Sequence, residues 1–161
     1  AVPGAVIAVG ILLPLGAVQS MWPTAPAAAI VTGTALGLVY AYLVRFSAVA
    51  LQTVEAGYTR LPTSLDDSAR MLGASRVRLL AAVHAPLLRR SVLAAMLLVF
   101  VDVMKELPAT LVLRPFDSDT LAVEAYNLAR DERLAEAALP SLAIVAVGLL
   151  PVLLLVRAMR R

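Results

Sequence analysis

The sequence predicts an all-α polytopic membrane bundle, with four transmembrane helices, a two-helix loop on one side and a loop carrying a short helix on the other. Three observations carry that prediction. Of 161 residues, 61% are hydrophobic and 16% charged, against roughly 45–50% and 25% in soluble domains. No charged residue occurs from Ala1 to Val44, a stretch that would cover about 66 Å as helix, roughly two hydrocarbon thicknesses. Twenty further residues from Ala137 to Val156 are uncharged and run directly into Arg157, Arg160 and Arg161. With no cysteine in the chain, disulfides, thiolate metal sites and cysteine nucleophiles are excluded. The chain opens on an apolar stretch without methionine, so we expect an incomplete piece with upstream helices missing.

The first span is expected from Val2 to Val18, kinked by Pro3, Gly4, Pro14 and Gly16. The segment Gln19 to Pro26, with two prolines, breaks the helix and places Trp22 where an interfacial aromatic belongs. A second span follows from Ala27 to Phe46, in which Gly33 and Gly37 form a small-xxx-small face. A third begins near Leu87, runs apolar through Val101 and meets Asp102, Lys105 and Glu106. The fourth is Ala137 to Val156; Pro140 is tolerable in its first turn, whereas Pro151 should kink it.

Charge sets the orientation. The stretch between the second and third spans, with the C-terminus, carries ten basic residues, against three in the Gln19 to Pro26 and Arg114 to Glu136 loops. By the positive-inside rule the arginine-rich loop and the C-terminus are cytoplasmic, and the acidic loop, with a short helix over Thr120 to Arg130, faces outward. The net charge of +3 thus reports topology and implies no nucleic-acid partner.

Within the cytoplasmic region, residues 47–86, Ser64-Leu65-Asp66-Asp67 fits a capping box that starts a helix running through Ser68, Ala69, Met71 and Leu72 to a left-handed stop at Gly73. Ser75 can cap a second helix, Arg76 to Ala85, ended by Pro86. Leu65, Met71 and Leu72 put apolar groups on a charged segment too short to span, which suits a helix lying on another protein or on the membrane surface.

The spacing Asp67-Ser68-Ala69, three residues, Gly73, nine residues, Val83-His84-Ala85-Pro86 resembles the EAA loop of binding-protein-dependent ABC importer permeases, E-A-A-x3-G-x9-I-x-L-P. Asp67 stands for glutamate and Val83 for isoleucine, while Ser68 and Ala85 depart further from the pattern. The stretch Lys105-Glu106-Leu107-Pro108-Ala109-Thr110, continuing through Arg114-Pro115-Phe116, looks like the K-E-L-P-x-T-L-x-L-R-P-F segment of the iron(III)-type members, and Pro3-Gly4-Ala5-Val6 is similar to the opening of one of their helices. The resemblance implies a bacterial inner-membrane permease domain over residues 1–161, one half of a six-helix-per-half assembly, the C-terminal half among the options. It implies no cofactor, and as partners a cytoplasmic ABC ATPase dimer, an extracytoplasmic binding protein and a second permease half, fused or homologous. It makes Leu65 to Gly73 a coupling helix docked in a groove of the ATPase.

Each motif also has a plain structural meaning. Asp67 could simply favour the positive end of its helix, and Gly73 could simply stop it. Asp102, Lys105 and Glu106, at i, i+3 and i+4, can pair on one helical face as an interfacial salt-bridge cluster; with Pro108 they could instead line or gate the cargo path. His84 is the sole histidine and reads as structural or docking, with no neighbour for a metal site. No P-loop surrounds the single lysine, and no hydrolytic motif is present, so catalysis is not expected. Outside this reading stand a permease for thiamine, a polyamine or another solute, and an ATPase-independent channel or structural membrane subunit.

Overall fold

The computed structural model describes residues 2–24 and 26–159, without the surroundings of residues 27, 28, 33, 154, 155, 158 and 159, and every regular element among the described residues is helical. It divides into two compact units: Ala1–Ser47 with Phe100–Arg161, and Ala48–Val99.

In the first unit, α1 (Gly4–Met21) runs unbroken through Pro14 and ends at Trp22, whose N–H reaches the Val18 carbonyl at 2.9 Å. The single helix expected from Ala27 to Phe46 is instead two, α2 (Ala27–Gly33) and α3 (Leu36–Tyr58). Thr34 is the reason. Its hydroxyl donates to the Ile30 carbonyl at 2.5 Å and accepts from the Leu36 N–H at 3.2 Å, so one side chain serves the end of α2 and the start of α3. The break parts the expected glycine face: the surroundings of Gly33 lie outside the described residues, and Gly37 sits so near α2 that an added Cβ would be 2.6 Å from the Val31 carbonyl oxygen.

The short α7 (Pro108–Leu113) has proline in its first turn, where no N–H is missed. It and α2 both pack on α1. Ala8 of α1, Leu38 and Ala41 of α3 and Leu113 of α7 form a buried core, edged by Ile7, Ile11, Leu12 and Tyr42; the two alanines let backbones approach. Beyond α7 the expected short outer helix is present as α8 (Leu121–Arg130), which starts where the Thr120 hydroxyl accepts from the Val123 N–H and packs on α9 (Leu134–Met159). α9 begins before Ala137 because Arg133 pairs with Glu136 across its first turn. Arg160 and Arg161 lie outside the described residues.

The second unit holds the end of α3, then α4 (Thr63–Met71), α5 (Arg76–Leu79), a π-helical turn (Leu80–His84) and α6 (Ala85–Met104) as far as Val99. The chain passes from one unit to the other inside α3 and again inside α6. Gly57 brings α3 against α6, since a Cβ there would lie 2.6 Å from that of Ser91.

Among the described residues, three helices are long and apolar enough to cross a membrane: Gly4–Met21, Leu36–Tyr58 and Leu134–Leu153. Four spans were expected. The third, from Leu87, is present as α6 but differs from the others: Arg89, Arg90 and Asp102 bracket an apolar run of about 16 Å, half a hydrocarbon core.

The α8–α9 corner is closed by Glu132 N–H to the Ala129 carbonyl at 3.2 Å and Arg133 N–H to the Leu128 carbonyl at 2.9 Å, the paired bonds of a Schellman turn. Its central residue, Glu132, has φ 61°, a left-handed conformation that costs a non-glycine residue about 1–2 kcal/mol. Glu132→Gly should therefore stabilise the detergent-solubilised protein by about 1 kcal/mol, and Glu132→Val should destabilise it, both read from denaturation midpoints.

Candidate functional site

Two constellations hold the residues singled out by the sequence. The first is the elbow of the second unit. α4 begins two residues earlier than the capping box implies: Pro62 is its N-cap, no side chain caps it, and Ser64 lies inside the helix. The Ser64 carbonyl accepts from the Ser68 hydroxyl at 2.7 Å, so the expected Ser64–Asp67 exchange does not form. Pro62 has already turned the chain, at φ −70°, and the helix needs no second start. Asp67 is exposed and makes no hydrogen bond or ion pair among the described residues.

The end of α4 is as expected. Gly73 has φ +81°, its N–H reaches the Arg70 carbonyl at 2.9 Å, and the Ala74 N–H reaches that of Ala69 at 3.0 Å. This is a Schellman turn whose left-handed residue is glycine, free of the steric cost borne at Glu132. Ser75 then caps α5 by accepting from the Arg78 N–H at 3.3 Å. The turn leaves Met71 and Leu72 90% and 88% exposed, with Leu65 and Val77 also outside.

Pro86 does not end the second helix. The chain passes from α5 through the π turn into α6 without interruption, Pro86 being the second residue of α6. Proline offers no N–H, and in a regular helix its ring meets the carbonyl four residues back. The wider π turn, in which the Ala85 N–H bonds to the Leu80 carbonyl, loosens that contact and lets the helix continue.

The second constellation lies in the first unit. α6 stops at Met104, so Asp102, Lys105 and Glu106 do not share one helical face. Asp102 and Lys105 pair at 3.0 Å and stay partly exposed, while Glu106, beyond the helix end, is 4% exposed and points elsewhere. One oxygen of its carboxylate accepts from the Ala109 N–H at 3.0 Å, capping α7, and the other meets Nη2 of Arg45 at 3.1 Å. The Thr110 hydroxyl donates to the Glu106 carbonyl at 2.8 Å, which commits its one proton. Tyr42 must therefore donate at the 2.5 Å contact between the two hydroxyls. Arg45 also lies over the Phe46 ring, 5.6 Å from its centre, and its buried Nη1 has no partner among the described residues. Gly4 makes room for the pair, since a Cβ there would overlap both the Arg45 guanidinium and the Glu106 carboxylate.

Several of these contacts escape sequence reasoning. Arg45 reads as the first residue of a basic loop, yet it belongs to the interior of α3. The signal that could place it is its position at the end of forty-four uncharged residues, because a charge in an apolar helix needs a partner. The Tyr42–Thr110 bond joins positions 68 apart, and nothing local announces it.

Removing one member of a buried ion pair strands the other and costs about 3–5 kcal/mol, whereas replacing both with apolar or neutral groups can be nearly neutral. Glu106→Ala should thus destabilise the protein by that order and also uncap α7. Arg45→Met combined with Glu106→Gln, which keeps an acceptor for the Ala109 N–H, should recover most of the loss in a denaturation series.

All 161 residues match the family described as the binding-protein-dependent transport system inner membrane component. Over 118 residues the chain is 30% identical to the Fe(3+)-transport system permease protein FbpB 2 of Haemophilus influenzae, covering 73% of this chain and 23% of that protein. Over 129 residues it is 31% identical to PhnV of Salmonella typhimurium, named as a permease protein of a 2-aminoethylphosphonate transport system, covering 80% of this chain and 49% of that protein. The chain thus spans half or less of the length of these relatives. No solved structure matches it. The match along its whole length shows that the chain belongs to the family of binding-protein-dependent transport system inner membrane components.

Proposed function

We propose that this chain is part of the inner-membrane permease of an ATP-driven importer, in which α4 is the helix that docks on a cytoplasmic ATPase. A single observation carries the reading. Met71 and Leu72, 90% and 88% exposed, stand at the end of a short polar helix and are held there by the Gly73 turn. Large apolar side chains fixed at a locked corner are what a partner's groove can grip, and the family fits an ATPase as that partner. The exposed Asp67 beside them offers a rim charge, with Ser68 and Ala69 as the small residues of the same helix and Pro86 marking the far end of the elbow.

Sidedness supports the same reading. With Arg45 assigned to the interior of α3, nine of the ten basic residues remain on the elbow and C-terminal side, still against three on the other. Four membrane passages then require α6 to cross despite its short apolar run, its charged ends being covered by other parts of the assembly. The full importer adds an extracytoplasmic binding protein and a second permease half. Asp102 and Lys105, paired and partly exposed, would face the cargo path, whereas Glu106 and Pro108 would fix the start of α7 beside it.

For cargo we propose iron(III), supported by the Lys105 to Phe116 segment and by the similarity to an Fe(3+)-transport permease. The similarity to PhnV supports a phosphonate instead. Metal analysis of the cognate binding protein, purified loaded, decides between them: stoichiometric iron favours the first, and a phosphorus-containing zwitterion without metal favours the second.

ATP binding would draw the docked α4 inward, and the elbow would tilt the helices continuous with it, an alternating-access cycle. Gly73→Val places a β-branched residue at φ +81° and should abolish transport while leaving membrane insertion intact. Met71→Asp with Leu72→Asp should release the ATPase from the purified complex. Transport at the parental rate by Gly73→Val, or retention of the ATPase by the double variant, would refute the docking role.

A further inference from the structure

Three side chains of the second unit are left unused by the docking role, and they meet at one point. His84, the last residue of the π turn, is 5% exposed, and its Nε2 lies 2.7 Å from Oδ1 of Asp66 in the first turn of α4. Tyr58, the last residue of α3, presents its ring at right angles to the imidazole, with centres 5.1 Å apart. Among the described residues the buried Nδ1 of His84 has no partner, and the contact to Asp66 is the only polar bond this ring makes. A buried imidazole that spends its one hydrogen bond on a carboxylate from another helix gives up solvation for that contact and is held by it.

The placement depends on the π turn. One extra residue in a helical turn rotates everything before it by about 100° relative to everything after it. Leu80–His84 is that extra turn, and His84 at its end faces α4. The neighbouring packing has no slack: Gly57, next to Tyr58, already touches Ser91 of α6. None of the side chains of α4 is buried, and it packs on α5 across the Gly73 corner; the Asp66–His84 contact is what ties it to the π turn beyond α5.

From this geometry we propose that Asp66 and His84 are positioning residues for the importer: a strap that makes α4 and the start of α6 move as one body. The proposal rests on the docking role given above to α4. Asp67, at the motif position, is free to meet the partner, while the adjacent Asp66 faces inward and holds the helix. Without the strap, a pull on Met71 and Leu72 would bend the Gly73 corner instead of displacing α6. With it, α6, continuous from Ala85 to Met104, follows α4. Tyr58 seats the imidazole by edge-to-face contact, a role its ring alone can fill.

The test uses the full-length permease in complex with its ATPase, in nanodiscs. These 161 residues hold no cysteine; with any cysteine elsewhere in the permease and its ATPase replaced by serine, Arg70→Cys on α4 and Arg89→Cys on α6, both exposed, carry a nitroxide pair. The distance distribution between the labels should be narrow and keep its width with and without ATP trapped by vanadate. His84→Ala and Asp66→Ala should each broaden it roughly twofold, and the double variant should broaden it no further, as for two partners of one bond. His84→Gln, which can still donate to Asp66, should restore the narrow distribution, a rescue not expected if the imidazole were merely filling space. Tyr58→Phe should leave the width unchanged. Unaltered width in His84→Ala, or additive broadening in the double variant, would overturn the strap. Retention of the ATPase through purification is scored separately: its absence from the parental complex would refute the docking role, whatever the labels report.

Discussion

A carboxylate and a guanidinium placed inside an apolar helical unit must find each other, because nothing else there can solvate them. Glu106 and Arg45 meet this constraint, and the rest of the first unit is arranged around their contact. The pair fixes the point at which α6 gives way to α7, since the same carboxylate that holds Arg45 accepts the first free N–H of α7. It also fixes how near α1 can come: only glycine at position 4 leaves space for both charged groups. The Tyr42–Thr110–Glu106 chain of hydroxyls ties the same turn to α3 a second time. Glycine, proline, threonine and glutamate in these two short segments therefore serve one physical end, a closed ion pair with its backbone capped.

The elbow of the second unit solves the opposite problem. Apolar side chains are left in the open, and the backbone is what is satisfied. Two orphan carbonyls at the end of α4, those of Ala69 and Arg70, accept from the Ala74 and Gly73 N–H groups through the turn, and Ser75 supplies an acceptor for the start of α5. A corner with its hydrogen bonds complete can be stiff without burying anything. The α8–α9 corner uses the same turn with Glu132 in the left-handed position. The comparison separates what the turn needs, a residue tolerant of positive φ, from what the elbow adds, a residue that adopts it without strain.

Features decided within a few residues were legible in the sequence. The stop at Gly73, the cap at Ser75, the short helix after Thr120 and the apolar lengths of α1 and α9 all follow from local chemistry. Features decided by a competing bond were not. Thr53 donates to the carbonyl four residues back inside unbroken α3, as Thr34 does at the end of α2; what sets Thr34 apart is that its hydroxyl also accepts the Leu36 N–H and so starts the next helix. Ser64 loses its capping role to Pro62, one further example of two good local candidates separated only by where the preceding helix happens to end. Pro86 reads as a terminator because the rule assumes a regular helix before it, and the π turn removes that assumption. Arg45, Glu106, Asp66 and His84 are distant in sequence from their partners, and pairings of that kind leave no periodic trace.

The two aspartates at the start of α4 show how closely such assignments can turn. Successive residues on a helix are rotated by about 100°, so Asp66 and Asp67 cannot serve the same side. The inward position is set by the phase of the helix, and that phase is set by Pro62 at one end and Gly73 at the other. Had the helix begun at the Ser64 cap, Asp67 would have been drawn back toward its own backbone. Starting it at Thr63 leaves Asp67 free and turns Asp66 toward His84. One proline therefore separates the acid that pairs with His84 from the acid that stays exposed and unpaired among the described residues.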